Sequence, residues 1–113
     1  MHVSHLDLHD LDSFYAALAR HARVLLFKHS PICPVSAAAL QEWERFRAGQ
    51  PSAATLQVDV VAERTLSRAI AAACGVAHES PQAILFAGGR ASWHASHGAI
   101  TTTALAAAWA RRG

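Results

Sequence analysis

The apolar run Val24-Leu-Leu-Phe27, followed closely by Cys33-Pro34 and a long amphipathic stretch, constrains this chain more than any other feature. An uninterrupted run of this kind reads as a strand buried on both faces. Ser30 and Pro31 end it. Pro34 can open a helix, because the first helical residue has no intrahelical partner for the N–H that proline lacks. Cys33 therefore stands at the mouth of a helix, directly after a central strand. Unpaired backbone N–H groups and the positive end of the helix dipole favour a thiolate there over a thiol. Ser36 follows about one turn later, so its hydroxyl can face the sulfur.

Composition bounds what surrounds this stretch. A chain of 113 residues that is 52% hydrophobic suits a single domain, residues 1–113, with a core that needs no disulfide staples. The net charge is +2, with one lysine and nine arginines scattered along the chain. No basic patch interleaved with aromatics is present, so nucleic acid is not an expected partner. No apolar run is long enough to span a bilayer, and Met1-His-Val-Ser-His-Leu-Asp7 lacks the basic start and apolar core of a signal peptide. No membrane association is expected, and a cytoplasmic location is. Two cysteines in such a chain point to a reducing compartment, where a structural disulfide is not expected.

In chain order, Val3 to Leu8 carries a weak pattern for a short edge strand. Asp10 can cap a helix with Leu11, Phe14, Tyr15 and Leu18 at helical spacing. After the central strand, a helix is predicted from Pro34 to about Arg47, with a buried stripe of Val35, Ala39, Trp43 and Phe46. Gly49 to Ser52 is a loop. Leu56 to Val61 reads as a second strand, parallel to the first because a helix joins them. Asp59, near its end, suits a turn or cap. Leu66, Ile70 and Cys74 mark the buried stripe of a third helix, stopped by Gly75. Ser80-Pro81 introduces a strand from Ala83 to Ala87, and Gly88-Gly89 turns it into another from Arg90 to Ser96. Thr101 or Thr102 caps a final helix carrying Ala104, Leu105, Ala108 and Trp109. This order resembles the α/β thioredoxin-like fold, a four-stranded mixed sheet with helices on both faces.

Strand, turn, Cys-x-x-Ser and helix is the layout of a thioredoxin-type redox site with serine in place of the second cysteine. Serine cannot close an intramolecular disulfide. Cys33 is left with monothiol exchange, in which it attacks a mixed disulfide and carries one half away. Ser36 would stabilise the thiolate, or serve as a plain helix-surface serine. In thioredoxin-fold proteins the proline corresponding to Pro81 is cis and faces the active cysteine, which would offer the backbone of Ser80 to a bound thiol or peptide. The bland alternative is an ordinary turn proline. Cys74 is a possible resolving thiol, but its place on the Leu66–Ile70 stripe favours a buried, inert cysteine. Lys28 and His29 end the central strand and could attract an anionic co-substrate or activate Cys33; the alternative is a pair of solvated residues. His94 and His97 lack a third ligand nearby, so no metal site is assigned. His2, His5 and His9 read as a polar N-terminus.

Phe27-Lys-His-Ser30, Cys33-Pro-Val-Ser36, His78-Glu-Ser-Pro-Gln82, Trp93-His-Ala-Ser-His97 and the following Gly98 to Thr101 together resemble the YtxJ family, the monothiol bacilliredoxins of the bacillithiol system. Ile32 and Val35 stand where that family's usual Thr-Cys-Pro-Ile-Ser motif has threonine and isoleucine, and Ile32 removes a hydroxyl beside the sulfur. The resemblance implies a cytoplasmic oxidoreductase that removes bacillithiol from proteins carrying it as a mixed disulfide. Cys33 would supply the nucleophile, with Pro34 and Ser36 beside it in the catalytic motif, and Pro81 the cis-proline. Bacillithiol would be a co-substrate carried transiently on Cys33, with no tightly bound cofactor, and the protein is expected to act as a monomer. Two other readings stand beside this one: an iron–sulfur carrier of the monothiol glutaredoxin kind, and an adaptor in which the fold survives and Cys33 is idle.

Overall fold

The computed structural model describes residues 5–111. Its strands are β1 (His5–Asp7), β2 (Arg23–His29), β3 (Thr55–Asp59), β4 (Gln82–Ala87) and β5 (Arg90–Ser96). The helices are α1 (Leu11–Arg20), α2 (Pro34–Gly49), α3 (Arg64–Cys74) and α4 (Thr102–Ala110). The strands form one sheet in the order β1-β3-β2-β4-β5, with β1, β3 and β2 parallel and β4 and β5 antiparallel. The mixed sheet is therefore five-stranded, not four-stranded. The additional strand, β1, is three residues long and mostly exposed, so little apolar alternation marks it in the sequence. Val3 and Ser4, part of the expected edge strand, lie outside the described residues.

β2 is central, and Val24 to Lys28 are buried along it. Its side chains alternate between two cores, as strand geometry requires. Val24 and Leu26 join Phe14, Leu56, Val58, Ile70 and Phe86 on the face covered by α1 and α3. Leu25 and Phe27 join Ala39, Trp43, Phe46, Leu85 and Leu105 on the face covered by α2 and α4. On that second face Trp43 stacks between Phe27 and Phe46, with ring centroids 5.2 and 6.1 Å away, and its Nε1–H donates to Gln57 Oε1 at 3.0 Å.

Local chemistry sets the element ends. Asp10 Oδ1 accepts the Ser13 N–H at 2.7 Å, and Thr101 Oγ1 accepts that of Ala104 at 3.0 Å, so each caps its helix. α3 stops at Gly75, whose φ of 73° is the left-handed conformation a C-terminal glycine supplies. Asp59 Oδ1 accepts from the backbone of Val61 and Ala62, the turn role expected of it. Within α1, Phe14 is buried while Tyr15 is exposed, so only part of the predicted stripe faces the core.

Candidate active site

The end of β2, the start of α2 and the loop before β4 come together to form the site. Cys33 is the N-cap of α2, in extended conformation, and Pro34 is the first helical residue. The Cys33 N–H donates to the Ser30 carbonyl at 3.2 Å, and its own carbonyl accepts from Ala37 at 3.0 Å. Its side chain makes no capping hydrogen bond, so the half-buried thiol has no structural task at the helix start. Ile32 beside it is 80% exposed.

The first turn of α2 is rotated relative to the expected stripe. Ser36, not Val35, lies on the buried face with Ala39, Trp43 and Phe46, and Val35 is exposed. Burial of a serine requires hydrogen-bond partners. Ser36 Oγ accepts the Ser30 N–H at 2.9 Å and lies 2.8 Å from His29 Nδ1. Its hydrogen bonds thus run to the strand end, and its full burial rules out the alternative of a plain helix-surface serine. Burial lowers the pKa of His29, with Asp59 and Glu44 opposing. A neutral His29 can accept the Ser36 hydroxyl proton while that hydroxyl accepts from Ser30, and the three groups then satisfy one another. Ser36→Ala should strand the Ser30 N–H and lower stability by about 1–3 kcal/mol. Thermal unfolding measures this; an unchanged midpoint would show that the network carries little weight.

Lys28 and His29 point to opposite faces of the sheet. Lys28 is neither solvated nor a partner of His29: it is 0% exposed on the α1/α3 face, with Nζ 3.3 Å from His78 Nδ1. Desolvation lowers its pKa from the ordinary 10.5, and electrostatic interaction with Cys74 only partly offsets this. A buried ammonium facing a neutral imidazole is a net cost to folding. Lys28→Met should therefore raise stability by about 1–3 kcal/mol, or roughly 4–12 °C at the midpoint. The sign with pH follows. The native value is depressed, so the penalty is complete below it and vanishes as pH rises through the unfolded value, and the gain should shrink in alkali. A lower midpoint for the variant would overturn this reading.

The motif His78-Glu-Ser-Pro-Gln82 forms the opposite wall. The Ser80–Pro81 peptide bond is cis. Around it His78 meets Lys28, Glu79 Oε2 accepts the Ser96 hydroxyl at 2.6 Å, and Gln82 Nε2 donates to the Ala77 carbonyl at 3.1 Å. The polar residues of this motif and the Ser96 of the Trp93-His-Ala-Ser-His97 motif thus hold one loop. The Pro81 carbonyl accepts the N–H of His97, which has a φ of 55°. Between this loop, the end of β2 and α3 runs a polar groove of about 360 Å³, reached by Ser30, Ser80, Arg64 and Arg68. The two arginines escaped the sequence reading; their spacing of four residues on one helix was the available signal.

Cys74 ends α3, half-buried against the α1/α3 core, with Sγ 3.9 Å from the Ala71 carbonyl. Both cysteines are free. His5 and His9 are more than a polar terminus: His5 Nδ1 lies 2.8 Å from Thr55 Oγ1, and His9 Nδ1 2.8 Å from Glu63 Oε2. His2 lies outside the described residues. No group of three or more metal-ligating side chains comes together among the described residues.

A family profile for monothiol bacilliredoxins, BrxC, matches residues 6–105. The chain belongs to the monothiol bacilliredoxin family. In structure it is similar to a thioredoxin-fold protein assigned as an oxidoreductase, with 34% identity, a TM-score of 0.87 and 94% of each chain covered. It is also similar to a mutant thioredoxin from Halobacterium salinarum, with 24% identity, a TM-score of 0.70 and coverage of 90% of this chain and 84% of that one. Mitochondrial thioredoxin 3 from Saccharomyces cerevisiae matches at 17% identity and a TM-score of 0.72, with 90% of each chain covered. These last two establish the fold alone. Family and fold together give this bacilliredoxin a thiol-redox role. No helix among the described residues is long and apolar enough to cross a membrane.

Proposed function

We propose that this bacilliredoxin removes bacillithiol from proteins that carry it as a mixed disulfide, with Cys33 as nucleophile. The observation that carries the reading is the placement of the two thiols. Cys33 opens α2 with its side chain uncommitted, serine occupies the position of a second active-site cysteine, and half-buried Cys74 packs against the core of the opposite sheet face. The Cys33 thiolate attacks the bacillithiol sulfur of the mixed disulfide. The S–S bond to the client breaks, the client leaves as a thiolate that takes up a proton, and a Cys33–bacillithiol disulfide forms. A second thiol from solution then attacks that disulfide, frees Cys33 and departs joined to bacillithiol. Bacillithiol is a co-substrate in this cycle and no cofactor is held.

Ser36 and His29 act as positioning residues, since their bonds to each other and to Ser30 tie the end of β2 to the first turn of α2. Ser80, at the cis-proline, offers backbone to the bound disulfide, and exposed Ile32 borders the sulfur. We further propose that the protein works as a monomer in the cytoplasm, where both cysteines stay reduced. The test mixes reduced protein with a stoichiometric bacillithiol–peptide disulfide and follows intact mass. One bacillithiol adduct on Cys33 is expected after a single turnover. Loss of two hydrogens without an adduct would point to a Cys33–Cys74 disulfide and sink the monothiol cycle.

A further inference from the structure

We propose that the groove between α3 and the cis-proline loop is an anion-binding subsite, in which Arg64 and Arg68 select small thiols bearing carboxylates or phosphates. The inference rests on the exchange reading of Cys33 and adds to it the chemistry of the thiol's body. Arg64 and Arg68 stand one turn apart on α3 and line the groove with Ser30, Ser67, His78 and Ser80. Neither guanidinium has an ion pair or a side-chain hydrogen bond among the described residues. The neighbouring acids keep their charge but make their hydrogen bonds to other groups. Glu63 meets His9, Glu79 accepts from Ser96, and Asp59 accepts from the backbone of Val61 and Ala62.

Two like charges held side by side without a direct ion pair among the described residues make a local positive field on a chain whose net charge is only +2. Lys28 lies behind His78 and adds to that field. After burial, Lys28 and Arg68 press His78 towards its neutral form, with Glu79 opposing. A guanidinium presents a planar fork of donors that matches the paired oxygens of a carboxylate or phosphate. The groove also adjoins the reactive residue, because Ser30 lines it and accepts the Cys33 N–H, while Ser80 lines it and precedes the cis-proline. A thiol bonded to Cys33 therefore has these arginines on its Ser30 side.

The test uses one reporter peptide joined by a disulfide to four different small thiols. These are mercaptosuccinate with two carboxylates, coenzyme A with phosphates, neutral 2-mercaptoethanol and cationic cysteamine. First-turnover transfer of the small thiol to Cys33 is followed by intact mass at low salt. The wild-type protein should take mercaptosuccinate or coenzyme A about 10- to 100-fold faster than cysteamine. Whichever anion leads identifies the favoured oxyanion. R64Q/R68Q should bring that ratio to within about two-fold, each rate being taken relative to that with 2-mercaptoethanol so that any effect on Cys33 itself divides out, and R64E/R68E should favour cysteamine. Both arginines are exposed, so melting curves should match the wild type. A wild type without preference, or a folded R64Q/R68Q variant that keeps it, overturns the subsite and leaves exchange at Cys33 intact. Failure of all four thiols to reach Cys33 removes the exchange reading and the subsite with it.

Discussion

Cys33→Ser should reduce transfer of a small thiol from a mixed disulfide to the uncatalysed background, a loss of at least about a thousandfold. No other group in the site can replace the sulfur. Ser36 is buried and hydrogen-bonded, and an alcohol is too weak an acid to attack a disulfide at neutral pH. Cys74→Ser should keep most of the first turnover, because Cys74 ends α3 and packs against the core on the other side of the sheet. The pair of variants separates the two thiols in one measurement, intact mass after a single turnover. A Cys74 variant that loses the first transfer would assign the nucleophile to the wrong helix.

The largest stability effect is expected at Trp43. Its ring is fully buried, stacked against Phe27 of the central strand on one side and Phe46 on the other. Truncation to alanine removes both stacking contacts, opens a cavity and leaves Gln57 Oε1 without its donor. Trp43→Ala should cost about 3–5 kcal/mol, a large share of the roughly 5–15 kcal/mol that holds a domain together. The unfolding midpoint should fall by roughly 12–20 °C. Below the lowered midpoint the variant should still transfer thiols, since Trp43 reaches the site only through packing beneath α2. A shift of only a few degrees would mean that the second core is less cooperative than its burial implies.

Much of this was legible in the sequence, for local reasons. The run Val24–Phe27 has no polar interruption, Pro34 can sit only at a helix start, and Asp10, Thr101 and Gly75 carry the chemistry their helix ends require. The features that escaped depend on partners distant in the chain. Ser36 and Lys28 are residue types usually found in water, and their polarity masked the spacing that places them on buried faces. Ser36 is buried because the Ser30 N–H needs an acceptor, and Lys28 because strand alternation turns it inward towards His78, fifty residues away in sequence. Arg64 and Arg68 were visible as a helical pair. That neither forms an ion pair among the described residues is a property of the folded surface.

The sheet has a long free edge, β5, which bends at Ser92, the extra residue between Ala91 and Trp93 in its pairing with β4. Arg90, Ser92 and His94 are exposed along it. An unpaired strand edge invites another chain to add on, and a bulge with charged and polar outward residues discourages that. The kinked, charged border makes β5 a poor template for the addition of a further strand.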